Sequence, residues 1–165
     1  MNNQKLADFE LYFQIEESNR VNLFTVDDAV VPKSLAELDA DIPPLFKLAN
    51  EVSSLDQSAL GPLRNLGDIA QELTTFLQAQ SRKIDLIMSH ILASEQPEDN
   101  SIYCDSYGGG GIKFTSEHLY TLGQKFRTKL FLQHEASAMY CYSEVVAIEK
   151  QDNEHYQYTL LFVSI

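Results

Sequence analysis

Four consecutive glycines, Gly108-Gly109-Gly110-Gly111, constrain this chain more than any other stretch. Glycine loses more backbone freedom on ordering than any other residue, so four in a row do not belong inside a helix or strand. They call for a sharp excursion that side chains would not permit. β-prone residues flank them, Ile102-Tyr103-Cys104 before and Ile112-Lys113-Phe114 after. The pattern predicts strand, glycine turn, strand. Upstream of the turn the chain reads mostly as helix, and downstream as strands.

The strongest upstream pattern is a heptad. Leu63, Leu66, Ala70, Leu73, Leu77, Gln80, Ile84, Ile87 and Ile91 recur at alternating spacings of three and four. This predicts one helix over about 58–94. Ser58 would be its N-cap, and Pro62 would fall in its first turn, where the missing N–H breaks no helical bond. Gly67 costs about 1 kcal/mol relative to alanine without ending the pattern. Gln80 sits in the seam, where a polar side chain lowers stability and can fix register or oligomer state. Phe76, Leu86, Met88 and Leu92 lie off the seam and predict a second neighbour. One face would touch the helix's own domain and the other a copy of the chain. A homo-oligomer, dimer to tetramer, is expected, with Leu66, Ala70, Leu73, Leu77, Gln80, Ile84, Ile87 and Ile91 at its interface.

Residues 1–30 read as N-terminal strands, Asp8–Ile15 and Arg20–Val26, joined by an exposed turn. Pro32, Pro43 and Pro44 then interrupt regular structure. Ser34 with Glu37 makes a capping-box pattern for a short helix. A second short helix runs from Pro43-Pro44 to about Ser53, with Leu45, Leu48, Ala49 and Val52 on one face. Residues 31–95 thus form a helical region. Residues 101–165 read as short antiparallel strands at 102–104, 111–115, 125–132, 138–150 and 156–163, with a helical turn between 115 and 123. That spacing predicts a small barrel and, overall, an α+β fold. The chain stops at Phe162-Val163-Ser164-Ile165, inside a strand, which predicts a further segment.

The charge balance narrows the function classes. A net charge of -12, from 24 acidic and 12 basic residues, argues against binding nucleic acid or anionic membranes. No apolar run is long enough to span a bilayer, and the N-terminus lacks the apolar core of a secretion signal. A cytoplasmic protein is expected. Cys104 and Cys141 lie in strand-like runs and read as reduced core thiols. His90, His118, His134 and His155 show no metal-ligand spacing with them. No Gly-x-Ser-x-Gly occurs, and no carboxylate pair stands out as an acid/base couple. A phosphate loop needs Gly-Lys-Ser/Thr opening a helix, whereas here Ile112 follows Gly111 and a strand follows. No catalytic site, metal or cofactor is expected.

Residues 101–165 resemble a PilZ domain, the bacterial receptor module for cyclic di-GMP. The resemblance rests on Gly111-Ile112-Lys113-Phe114 after the glycine turn and Leu122-Gly123 before Lys129-Leu130-Phe131-Leu132. It continues with Ser143-Glu144-Val145-Val146 and a last strand ending in Leu161-Phe162-Val163. The resemblance implies a PilZ-like barrel, and two motifs for its ligand. The first, Arg-x-x-x-Arg, is missing: Arg20, Arg64, Arg82 and Arg127 are never four apart. The second, Asp/Asn-x-Ser-x-x-Gly, falls on Ser106, Gly108 and Gly111, where only the glycine matches. Placing Asp105 first puts Tyr107 and Gly110 at the other two positions, which is no closer. Hydrogen bonds to charged groups contribute about 1.5–3 kcal/mol each, so losing two arginines should abolish most affinity. The chain is similar to the atypical PilZ subgroup, which pairs a long heptad helix with a barrel lacking the ligand motifs. The resemblance implies a non-enzymatic signalling scaffold or adaptor that binds itself and an unidentified signalling protein. The alternative is a cyclic di-GMP receptor with non-standard contacts, such as Arg82 or a neighbouring copy's Arg127.

Overall fold

The structure, a computed structural model, describes residues 2–63, 67–94, 100–132, 137–152 and 154–165. Helix α1 (Asn2–Glu10) is followed by strands β1 (Gln14–Ile15) and β2 (Arg20–Val26) and a 3-10 turn at Asp28–Val30. Helices α2 (Leu35–Asp41), α3 (Pro44–Leu63) and α4 (Gly67–Ser94) come next. Strands β3 (Ser101–Tyr103), β4 (Ser106–Gly108), β5 (Gly111–Ser116), β6 (Lys125–Leu132), β7 (Ser137–Lys150) and β8 (Tyr156–Ser164) complete the order. The contacts divide into two compact units. One comprises Met1–Ile42, Pro97–Leu130 and Met139–Ile165, the other Pro43–Gln96 and Phe131–Ala138.

The first unit is built on an eight-stranded antiparallel sheet in the order β1-β4-β5-β8-β7-β6-β2-β3. The expected barrel is not closed. Both ends of the sheet nevertheless come from the same two stretches of chain: β1 pairs with β4 as Gln14↔Gly108, and β2 with β3 as Arg20↔Tyr103. Between these pairs the register slips by one residue, and the ladder is interrupted around residues 16–19. There a single backbone bond, from Cys104 N–H to Asn19 O at 3.0 Å, links the two stretches. An extra residue of this kind bends a strand and breaks the pairing.

Alternation places the core. Phe126 and Leu130 of β6, Ile112 and Phe114 of β5, Tyr158 and Leu160 of β8, and Val21 and Leu23 of β2 are all buried. Burial of each such side chain contributes about 1.5–3 kcal/mol. Cys104 and Cys141 are buried free thiols, and burial raises the pKa of both. The buried hydroxyls of Thr128 and Ser143 satisfy each other at 2.6 Å. The connection between β5 and β6 contains bends and turns, not the helical turn expected there. Gly123 takes φ +84° in it, a conformation that favours glycine, and donates its N–H to Val145 O at 2.8 Å.

The N-terminal residues correct the sequence reading. Residues 2–10 are helix, and only Gln14–Ile15 of the expected first strand is extended. The burial of Phe9, a tertiary effect, accompanies the helical turns. α2 begins with the expected Ser34 cap, whose Oγ accepts the Glu37 N–H at 3.3 Å, while Glu37 Oε2 accepts the N–H of Lys33 (2.9 Å), one residue before the position a capping box uses. At its other end Asp41 Oδ2 accepts hydrogen bonds from Tyr140 (2.5 Å) and Tyr142 (2.6 Å).

The second unit holds α3 and α4, which touch each other. Phe46 of α3 is fully buried, with its ring 5.6 Å from that of Phe131. Pro44 opens α3, a position where proline's fixed φ suits a helix start. The stretch expected as one helix over 58–94 is helical on both sides of residues 64–66. α3 does not stop near Ser53 but runs through Pro62 to Leu63, and α4 starts at Gly67. Residues 64–66, Leu66 of the seam included, lie outside the described residues.

Candidate functional site

The glycine turn is a tight hairpin. Gly108 pairs with Gly111 and Ser106 with Lys113, leaving Gly109-Gly110 as the two-residue loop. Close packing crowds all four glycines, against backbone at Gly108 and Gly111 and against a movable side chain at Gly109. A Cβ on Gly109 would lie 2.9 Å from the Tyr12 ring, and one on Gly110 would lie 2.8 Å from the same ring. On Gly108 it would collide with the Phe13 carbonyl, and on Gly111 with the Leu160 carbonyl of β8. The N-terminal segment from Phe9 to Gln14 therefore lies directly on the turn.

Charged contacts hold α1 and the residues around it to the strands. Lys5 of α1 donates to Glu144 Oε1 at 2.5 Å, and the Glu144 side chain is buried. Lys125 stands 4.0 Å from the same carboxylate and pairs with Asp28 at 2.7 Å. The hydrogen bond and charge of Lys125 lower the pKa of Asp28. The Lys113 ammonium lies 5.6 Å from the centre of the Phe9 ring, a cation–π contact.

The degenerate motif positions are thus engaged with the chain itself. Ser106 is buried, and its hydroxyl faces Gln14 Oε1 at 3.4 Å. Gly108 and Gly111 admit no side chain. Asp105 Oδ2 accepts from Thr115 Oγ1 at 2.8 Å. Arg20 is buried in β2 opposite Tyr103, and the Arg127 guanidinium sits 4.8 Å from the Phe24 ring. The sequence reading saw the glycine turn but missed its cover, Phe9–Gln14. The available signal was the number of glycines, since one turn rarely needs four.

The second candidate is the seam of α4. Leu73 (51% exposed), Ile84, Ile87 (60% exposed) and Ile91 are exposed, whereas Leu77 and Gln80 are half-buried. Ala70 is in α4 and Leu63 in α3, but their side chains lie outside the described ones. Thr74, Met88 and Leu92 are buried. At 3.6 residues per turn, this buried face lies roughly 90° around the helix from the seam. α4 therefore has one apolar face covered by its own chain and a second left open. Phe76 extends the open face, while Leu86 stands exposed on the far side.

Among the described residues, no helix is long and apolar enough to cross a membrane. Nor does any group of three His, Cys, Asp or Glu among them suit a metal ion.

No family model matches the chain, and no curated protein matches it. A solved structure does. It is a pathogenic protein from Xanthomonas campestris, described as a tetrameric PilZ domain self-assembled via an unusual helical bundle. The two are 18% identical over 99% of this chain and 86% of that one, with a TM-score of 0.51. The chain described here is PilZ-like in fold.

Proposed function

We propose that this PilZ-like chain is a non-enzymatic signalling adaptor in the cytoplasm that assembles with copies of itself through α4. The observation that carries the reading is the open seam of Leu73, Ile84, Ile87 and Ile91 beside the buried Met88 and Leu92. A row of exposed leucine and isoleucine at heptad spacing is the surface a second helix covers. The helical bundle of the Xanthomonas campestris structure supports the same use here. Leu66, Ala70, Leu77 and Gln80 complete the interface, and Gln80 sets its register.

The adaptor does not take cyclic di-GMP at the glycine turn. Tyr12 and the Phe13 carbonyl occupy the space above it, and the arginine pair is missing. The signalling partner is a protein, met by the assembled form. Two measurements test this reading. Analytical ultracentrifugation at micromolar concentration gives the mass, and a monomer would overturn self-assembly. Calorimetric titration with cyclic di-GMP should show no isotherm, and a saturable one would establish the receptor reading instead.

A further inference from the structure

At the opposite end of β5 from the glycine turn lies a cavity of about 250 Å³. Leu23, Tyr120, Phe126, His118, Ser101 and Ser116 contribute to its lining. β5 enters at Gly111 and leaves at Ser116, so about 17 Å of strand separates this cavity from the turn. We propose that it binds a small, neutral aromatic molecule carrying an N–H or O–H donor.

The aromatic preference follows from ring geometry. Tyr120 meets Phe126 edge-on at 5.3 Å and 86°, and meets Tyr158 at 5.1 Å and 86°. His118 adds a tilted contact with Tyr120 at 4.8 Å. These rings form a herringbone array that ends at the cavity, and another ring extends such an array edge-on. The preference for a neutral ligand follows from the lining. Among its described residues there is no carboxylate, lysine or arginine, so a phosphate or carboxylate would meet no fixed positive charge, only the His118 ring.

The donor requirement follows from the hydroxyls. Ser101 Oγ donates its proton to Asn22 Oδ1 at 3.0 Å and keeps lone pairs that can accept. Ser116 Oγ accepts from the His118 N–H at 3.0 Å and is hydrogen-bonded to the Tyr120 hydroxyl, so its own proton is already engaged. The volume falls just below the usual range for drug-sized ligands, which fits a molecule of one or two fused rings.

Indole is the probe. The chain has no tryptophan, so indole fluorescence excited beyond the tyrosine absorption can be followed without tryptophan background. Titration into the full chain should saturate with a dissociation constant of about 1 mM or tighter. Amide shifts should centre on Ser101, Ser116, His118 and Tyr120. Benzoate should bind at least tenfold more weakly. Thr25→Phe, at an exposed lining position, should weaken indole binding at least tenfold while its amide spectrum stays folded. Ser101→Ala should weaken it severalfold. Absence of saturation, shifts centred elsewhere, benzoate binding as tightly as indole, or a folded Thr25→Phe with unchanged affinity would each overturn the proposal.

Discussion

Neighbouring residues of α4 should respond oppositely to truncation. Ile87 is 60% exposed and Met88 is 4% exposed. Fully burying an isoleucine side chain contributes about 1.5–3 kcal/mol. If a second chain covers the exposed share of Ile87, Ile87→Ala removes about 1–2 kcal/mol per chain, or roughly 2–4 kcal/mol across a two-chain contact. That weakens association about 30- to 1,000-fold. Folding of the single chain should change by less than about 0.5 kcal/mol, because alanine is also the better helix former. Met88→Ala should do the reverse. It destabilises the fold by about 2–5 kcal/mol through lost burial and the cavity left behind. Sedimentation equilibrium over a concentration series gives the association constant, and urea unfolding of the dissociated chain gives the fold stability. Unchanged association for Ile87→Ala would refute the open-seam reasoning. So would a loss of fold stability as large as that of Met88→Ala.

Three further outcomes follow. Gly111→Ala should cost at least about 3 kcal/mol, since its Cβ meets the Leu160 backbone, whereas Gly109→Ala should cost about 1 kcal/mol or less, because the exposed Tyr12 ring can swing away; thermal melts compare them. Tyr142→Phe should lose about 1.5–3 kcal/mol in urea at neutral pH, because it removes a hydrogen bond to the charged Asp41. Burial raises the Asp41 pKa, but the bonds from Tyr140 and Tyr142 and the charge of Arg127 outweigh it and leave the pKa lowered. The stabilisation is therefore present above the unfolded carboxylate value of about 3.9 and is lost as pH falls through the folded one, where the mutant and the parent converge. His155 is raised by its hydrogen bond to Asp152, whose own pKa is held at about 2 by the Glu154 and His155 amides and the His155 ring. That contact contributes fully below about pH 6.5 and fades as pH rises through the folded His155 value. Proton NMR should place the His155 midpoint above about 6.5, and Asp152→Asn should bring it down.

The strands after the turn were legible because alternation along them is set by one buried face. β6 was expected at 125–132, and it occupies Lys125–Leu132. Charged and apolar residues take turns there, so only one register buries Phe126 and Leu130. The Ser34 cap was legible because capping is local chemistry. The N-terminal helix was not, since Asp8-Phe9-Glu10-Leu11 alternates as a strand would. The glycine run gave away a turn but not its cover. What crowds a Cβ at Gly110 is the Tyr12 ring together with the Phe9 carbonyl, both far away in sequence, and no local pattern encodes that meeting. Ser53 and Ser58 read as a stop and a start, yet α3 passes through both. Such propensities are worth only fractions of a kcal/mol, and tertiary context overrides them.

The pairing of Asn22 with Ser101 makes β2 and β3 the two arms of a hairpin. Everything from the 3-10 turn to the end of α4, the proposed assembling helix included, is then the loop of that hairpin. Loop closure depends weakly on length, with each doubling adding only about 0.6 kcal/mol. Whole helical turns can therefore be added to or removed from α3 and α4 without shifting the register of a single strand. Assembly reach and sheet integrity become separate variables, so that relatives of this chain could diverge in how they assemble while keeping one sheet.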